Sequence, residues 1–150
     1  MKKIILTLAL VLSFFSVLRA QVDGKAIGIR FGLGGEISYQ HPMGNANRVE
    51  LDLGLNSYGF GLNGIYQWVW DLSALADGFN WYAGAGLGLG AYDYGNTSKA
   101  FNFGVLGQVG IEYNFNIPLQ LSLDYRPGVF VGNGFNSSFD GICLAARFKF

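Results

Sequence analysis

The chain has 150 residues, of which 51% are hydrophobic, 16% aromatic and only 13% charged, and 23 are glycine. Ten basic residues balance ten acidic ones, so nucleic-acid binding has no electrostatic footing, and a single cysteine excludes an internal disulfide. The length supplies one domain, but the charged fraction is about half of the ~25% usual for a water-exposed protein.

In chain order, Lys2 and Lys3 precede an apolar run from Ile4 to Leu18 that ends at Arg19 and Ala20. This is the pattern of a cleaved secretory signal peptide over residues 1–20, too short for a comfortable spanning helix. Removing Lys2, Lys3 and Arg19 leaves a mature chain from Gln21 with a balance of 7 − 10 = −3. No cysteine follows closely, so amino-terminal lipid attachment is not expected.

Beyond residue 20 no segment approaches the ~18 unbroken apolar residues of a membrane helix. The hydrophobicity instead has period two, as in strands with two different faces. In the stretch KAIGIRFGLGGEISYQ, Gly32, Leu33, Gly34 and Gly35 predict a turn that pairs Ala26–Phe31 with Glu36–Gln40. After a turn at His41–Asn47 comes a strand over 47–56, where Val49, Leu51, Leu53 and Leu55 alternate with Glu50, Asp52, Gly54 and Asn56. Further strands are expected over 60–71, 79–92, 100–115, 118–131 and 139–150, separated by turn-rich segments at Ser57–Gly59, Leu72–Gly78, Asp93–Lys99, Asn116–Pro118 and Gly132–Ser138. The count is eight, and an even number returns both chain ends to the export side. Pro127, inside a strand of a sheet without edges, predicts a bulge or a break near Gly128.

Three features direct the greasy face outward. The other face is rich in glycine, as in WYAGAGLGLGAY, which suits a crowded eight-stranded interior. Aromatics gather toward strand ends: Tyr39, Trp68, Trp70, Trp81, Phe148 and Phe150 at one rim, and Tyr58, Phe60, Tyr92, Tyr94, Phe101 and Phe139 at the other, as membrane-interface girdles do. Most segments reach the ~9–11 residues a tilted strand needs to cross the hydrocarbon. The polar face also carries Arg30, Glu36, Glu50, Asp52, Glu112, Asp124, Arg126, Arg147 and Lys149, charges of both signs that can pair in a lumen. They predict a structural ion-pair network that plugs the barrel in preference to a pore or a proton path. The fold class is therefore all-β, a transmembrane antiparallel up-and-down barrel spanning residues 21–150.

An exported chain of alternating strands, with the glycine-rich strand and the terminal ARFKF, resembles the small outer-membrane β-barrel proteins of Gram-negative bacteria, of the OmpA and OmpX type. The resemblance covers essentially all of residues 21–150. It implies an outer-membrane location, contact with lipids and lipopolysaccharide, no enzymatic activity and a monomeric state. It also implies that the alternating Ile142, Leu144, Ala146, Phe148 and Phe150 form the signal read by the barrel-assembly machinery, through strand addition. The connecting loops, about seven residues at most, are shorter than the long adhesive loops of many relatives.

Candidate chemistry is sparse. His41, the sole histidine, precedes Pro42 in an expected turn; as a catalytic base of a lipid-modifying acyl hydrolase or transferase it would need a hydroxyl beside it, and the nearest, Ser38, lies on the lumen parity. GAGLGLG keeps strict alternation with no helix after it, unlike a dinucleotide loop. Cys143 has no second thiol or histidine nearby and is expected to be a buried inert thiol. No cofactor or metal site is expected. The competing functional classes are that lipid-modifying enzyme and a soluble periplasmic lipocalin-like barrel with a greasy interior.

Overall fold

The structure, a computed structural model, describes residues 22, 24–32, 34–56, 59–93, 99–132, 136–138 and 141–150. The expected leader, Tyr58, Tyr94 and Phe139 lie outside them, as does the side chain of Tyr92. The described residues form ten hydrogen-bonded segments: β1 (Ala26–Phe31), β2 (Gly35–Pro42), β3 (Asn47–Asn56), β4 (Gly59–Asp71), β5 (Phe79–Asp93), β6 (Lys99–Asn114), β7 (Leu119–Tyr125), β8 (Gly128–Val131), β9 (Asn136–Ser138) and β10 (Ile142–Lys149).

These segments make eight antiparallel staves, because β7 and β8 form one interrupted stave along β6, while β9 and β10 form the last. Pairing of β1 with β10 closes the barrel. Closure requires the strands to tilt, so that a circuit of the wall does not return to its starting residue. Leaving Arg147, the partners run through Gly28, Ser38, Asp52, Asn63, Gly88, Gly104 and Phe130 to Asn136, a stagger of 147 − 136 = 11 residues.

The break at Arg126 and Pro127 falls where the proline predicts it. Register along β6 is unchanged across it, since Val109 faces Tyr125 and Leu106 faces Gly128, and the Gly107 amide still donates to the Pro127 carbonyl at 2.9 Å. Against the last stave the register slips. Two residues separate Tyr125 from Gly128, but three separate their partners Ile142 and Ser138, so the closing stave carries one extra residue. Elsewhere β2 runs through His41 to Pro42, which pairs with Arg48, so these two residues end a strand instead of opening the turn expected at His41–Asn47. A proline is tolerated there because the ladder ends.

The period-two pattern sorts the side chains as the barrel requires. Ile29, Leu53, Leu87, Val105, Val109, Leu121, Leu123 and Leu144 are exposed on the outer wall, while Arg30, Ser38, Gln40, Arg48, Glu50, Asp52, Gln67 and Arg147 are buried inside it. The glycines of β5 and β6 make room for large inward groups. A Cβ on Gly110 would lie 2.7 Å from the Tyr82 ring, and one on Gly88 2.9 Å from Phe130.

Candidate functional site

Among the described residues the polar and charged side chains concentrate in the lumen, which is built by cross-strand neighbours of one parity. Arg30 on β1 and Glu36 on β2 are directly opposite, as are Ser38 and Asp52, Gln40 and Glu50, and Cys143 and Asp124. Such neighbours lie within reach of each other, and closing the wall brings distant staves together across the interior.

Two ionic groups result. Nearer the end that carries Phe150, Arg48 Nη2 donates to Glu112 Oε2 at 2.6 Å and its Nε to Gln67 Oε1 at 2.5 Å, with the guanidinium 5.0 Å from the Tyr82 ring centroid. Asn80 and Asn114 donate to the other Glu112 oxygen, at 3.1 and 3.3 Å. Farther in, Arg30 bridges Glu36 at 2.8 Å and Asp124, with Asp52 3.6 Å away. Arg126 spans Asp52 at 2.7 Å and Glu36 at 2.5 Å. Arg147 donates to Glu50 at 2.8 Å, Ser38 at 2.9 Å and Ser122 at 2.7 Å. A pair of amides joins the two groups: Gln67 Nε2 donates to Gln108 Oε1 at 2.6 Å, and Gln108 Nε2 to Glu50 Oε1 at 3.1 Å. Tyr82 makes a second link by donating its hydroxyl to Asp124 at 2.9 Å.

Of the charges singled out from the sequence, Arg30, Glu36, Glu50, Asp52, Glu112, Asp124, Arg126 and Arg147 form salt bridges within the lumen. Lys149 does not join them. It shares their parity but stands at the barrel mouth, lining a polar cavity of about 220 Å³ with Asp71, Glu112 and Gln120, and makes no salt bridge among the described residues. Parity fixes a face and says nothing about height. Arg48 was not singled out from the sequence although it shares the parity of Glu50 and Asp52, the signal that could have found it. The neutral members Gln40, Gln67, Gln108, Gln120 and Tyr82 carry no charge signal.

Buried polar atoms need partners, and nearly all of these have them. Among the described residues two do not, Arg30 Nε and Asp52 Oδ1. Both belong to the inner ionic group, where four carboxylates (Glu36, Glu50, Asp52, Asp124) face three guanidiniums (Arg30, Arg126, Arg147).

The other expected sites are placed as follows. Ser38 is buried in the lumen against Arg147, whereas His41 is on the outer wall with its Nδ1 3.2 Å from the Tyr39 hydroxyl, so the histidine and the serine do not meet. Cys143 is buried and unbridged. No group of three His, Cys, Asp or Glu side chains arranged for a metal occurs among the described residues. Among the described residues the lumen is lined mainly by polar and charged side chains, with Ile65, Val69, Tyr82 and Leu106 as its larger buried apolar members.

Aromatics mark the outer wall at the terminus-bearing end. Trp70 stacks on Trp81 with centroids 4.2 Å apart, Tyr66 meets Trp68 edge-on at 5.1 Å, and Tyr113 packs on Phe79 and Phe115. Phe60 and Phe101 are exposed near the opposite end. On β10, Ile142, Leu144 and Phe148 point outward and exposed, Ala146 is half-buried, and the terminal Phe150 is exposed. No protein-family model, no curated protein and no solved structure matches the chain.

Proposed function

We propose that this protein is an integral outer-membrane β-barrel of the OmpA and OmpX type, without enzymatic activity, which serves the envelope as a structural element or presents its short loops at the surface. One observation carries the reading: the barrel is inverted relative to a water-soluble one. Large apolar side chains from Ile27 on β1 to Phe148 on β10 are exposed on the wall, and arginines and carboxylates fill the centre. A contiguous apolar surface of that extent demands a partner, and a lipid bilayer covers it from every side. Closed barrels are the form in which strands cross a bilayer, because every backbone group is paired within the wall. No helix among the described residues is long and apolar enough to cross a membrane.

In this reading Trp68, Trp70, Trp81 and Tyr39 lie at one interface, with Phe60 and Phe101 toward the other. The side-chain plug argues against an open aqueous pore. Lipids and lipopolysaccharide surround a monomeric barrel, and Ile142, Leu144, Ala146, Phe148 and Phe150 present the alternating strand that the assembly machinery receives. Spin labels at Leu53, Val109 and Leu121, three exposed positions on three staves, are expected to report hydrocarbon in reconstituted vesicles. Migration in gels should shift on boiling. Labels that report water, together with recovery of the protein from a detergent-free periplasmic fraction, would reject the assignment.

A further inference from the structure

Val22, just before β1, stands at the mouth of the barrel that carries Phe150. The Val22 amide donates to the Asn45 carbonyl at 2.8 Å, anchoring this stretch to the turn between β2 and β3. The Val22 side chain packs on Val69 and Tyr82, both of them inner-face residues almost completely buried. These two form an apolar spot at this end of the lumen, where Tyr82 also faces Arg48 and holds Asp124. Two residues later the chain turns at Gly24, with φ of 74°, and Lys25 then exchanges two backbone hydrogen bonds of 2.9 Å with Phe150. Val22 and Gly24 also form part of the wall of the polar cavity at this mouth.

We propose that the stretch bearing Val22, Gly24 and Lys25 is a strap that stoppers this end of the lumen, with Val22 as the plug and Gly24 as the bend that sets it. The plug fits because Val69 and Tyr82 give it an apolar seat where polar neighbours would not. The bend depends on glycine. A side chain is strained at that φ, and a Cβ there would come within 2.9 Å of the Phe150 carbonyl oxygen. Among the described residues Val22 is held by its packing on Val69 and Tyr82 and by one backbone hydrogen bond, so it can release without unpairing any stave. Releasing it opens the seat formed by Val69 and Tyr82 to solvent from the cavity side. This device is a property of the barrel and is testable in detergent, whether or not the membrane assignment holds.

The test places a thiol in the seat. In the full-length processed chain with Cys143→Ala, Val69→Cys is treated with a positively charged methanethiosulfonate, and the labelling rate is compared with that after adding Val22→Asp or Gly24→Ala. Either change should speed labelling on the order of tenfold, the scale set by losing one buried valine contact, while boiling still shifts gel migration. Equal rates in the three folded proteins would overturn the proposal. A second measurement needs no substitution: in the unaltered protein the Val22 amide should exchange with deuterium at least about tenfold more slowly than a free chain end. An unprotected Val22 amide would overturn it equally.

Discussion

Replacing Arg147 with alanine removes the most heavily bonded cation of the lumen. Its side chain has no solvent exposure and makes bonds to Ser38, Ser122 and Glu50 of 2.9, 2.7 and 2.8 Å, with a longer one of 3.5 Å to Gln120. After truncation Glu50 keeps Gln40 at 2.6 Å and Gln108 at 3.1 Å, but the closest cation left to it is Arg30, at 4.0 Å. Neutral donors satisfy the geometry of that carboxylate without offsetting its charge. Removing one partner of a buried ion pair costs about 3–5 kcal/mol, and the inner group, already one carboxylate in excess, falls to two cations against four anions. Glu50→Gln added to Arg147→Ala should restore part of the loss, giving a coupling of about 1–3 kcal/mol in a double-mutant cycle. Urea titration of the barrel in lipid or detergent, followed by tryptophan fluorescence and by gel migration, measures all four corners. A loss below about 1 kcal/mol for Arg147→Ala, or no coupling to Glu50, would refute an electrostatic role for this network in holding the fold.

Gly110→Ala places a methyl where Asp124 and the Tyr82 ring already stand, so it should cost about 1–3 kcal/mol in the same titration. Val109→Arg, on the opposite parity and nearly half exposed, should cost about 2–4 kcal/mol for a barrel folded into a bilayer; an unchanged midpoint there would place that wall in water. Asp52→Asn should shift stability by less than about 1 kcal/mol, because asparagine keeps an oxygen for Arg126, Oδ1 has no donor to lose and the inner group holds one carboxylate in excess, whereas Asp124→Asn, whose two oxygens meet Arg30 and Tyr82, should cost clearly more. Deleting Phe150 should slow insertion by purified assembly machinery several-fold; equal insertion rates with and without it would remove the terminal aromatic from the recognition signal.

Much of this molecule was legible because a barrel strand obeys one short rule. Period two assigns every residue of a strand to the wall or the lumen, and it placed Leu121 outside and Asp124 inside without any knowledge of the partner strands. Pro127 could be read as an interruption for the same local reason, since it brings no amide to the ladder. The extra residue in the closing stave could not, because register between two staves depends on both of them and on the turn that joins them. Lys149 shows the other limit. Its parity is that of Arg147 two residues earlier, yet one of them is sealed among four partners and the other stands at the mouth, because tilt and stagger decide height. Arg48 was within reach of the same rule, and the amides Gln67 and Gln108 were not, since neutral side chains of this size occur equally well on a wet surface.

The arrangement of the lumen also explains why it contains amides at all. Arg48 and Glu112 balance each other near the mouth, and the surplus carboxylate belongs to the inner group. Had Gln67 or Gln108 been charged, the two groups would have fused and the surplus would have been shared along the barrel. An amide pair passes a hydrogen bond from Gln67 through Gln108 to Glu50 while transferring no net charge, so each ionic group keeps its own balance. The excess then concentrates where coordination is poorest. Glu36, Glu50 and Asp124 have both oxygens bonded, and Asp52 is the carboxylate left with one oxygen bare. Asp52, held through its other oxygen by Arg126, is therefore the least completely coordinated carboxylate of the inner group and the position where losing a negative charge relieves repulsion. Arg147 is its counterpart, the cation whose loss the inner group can least absorb.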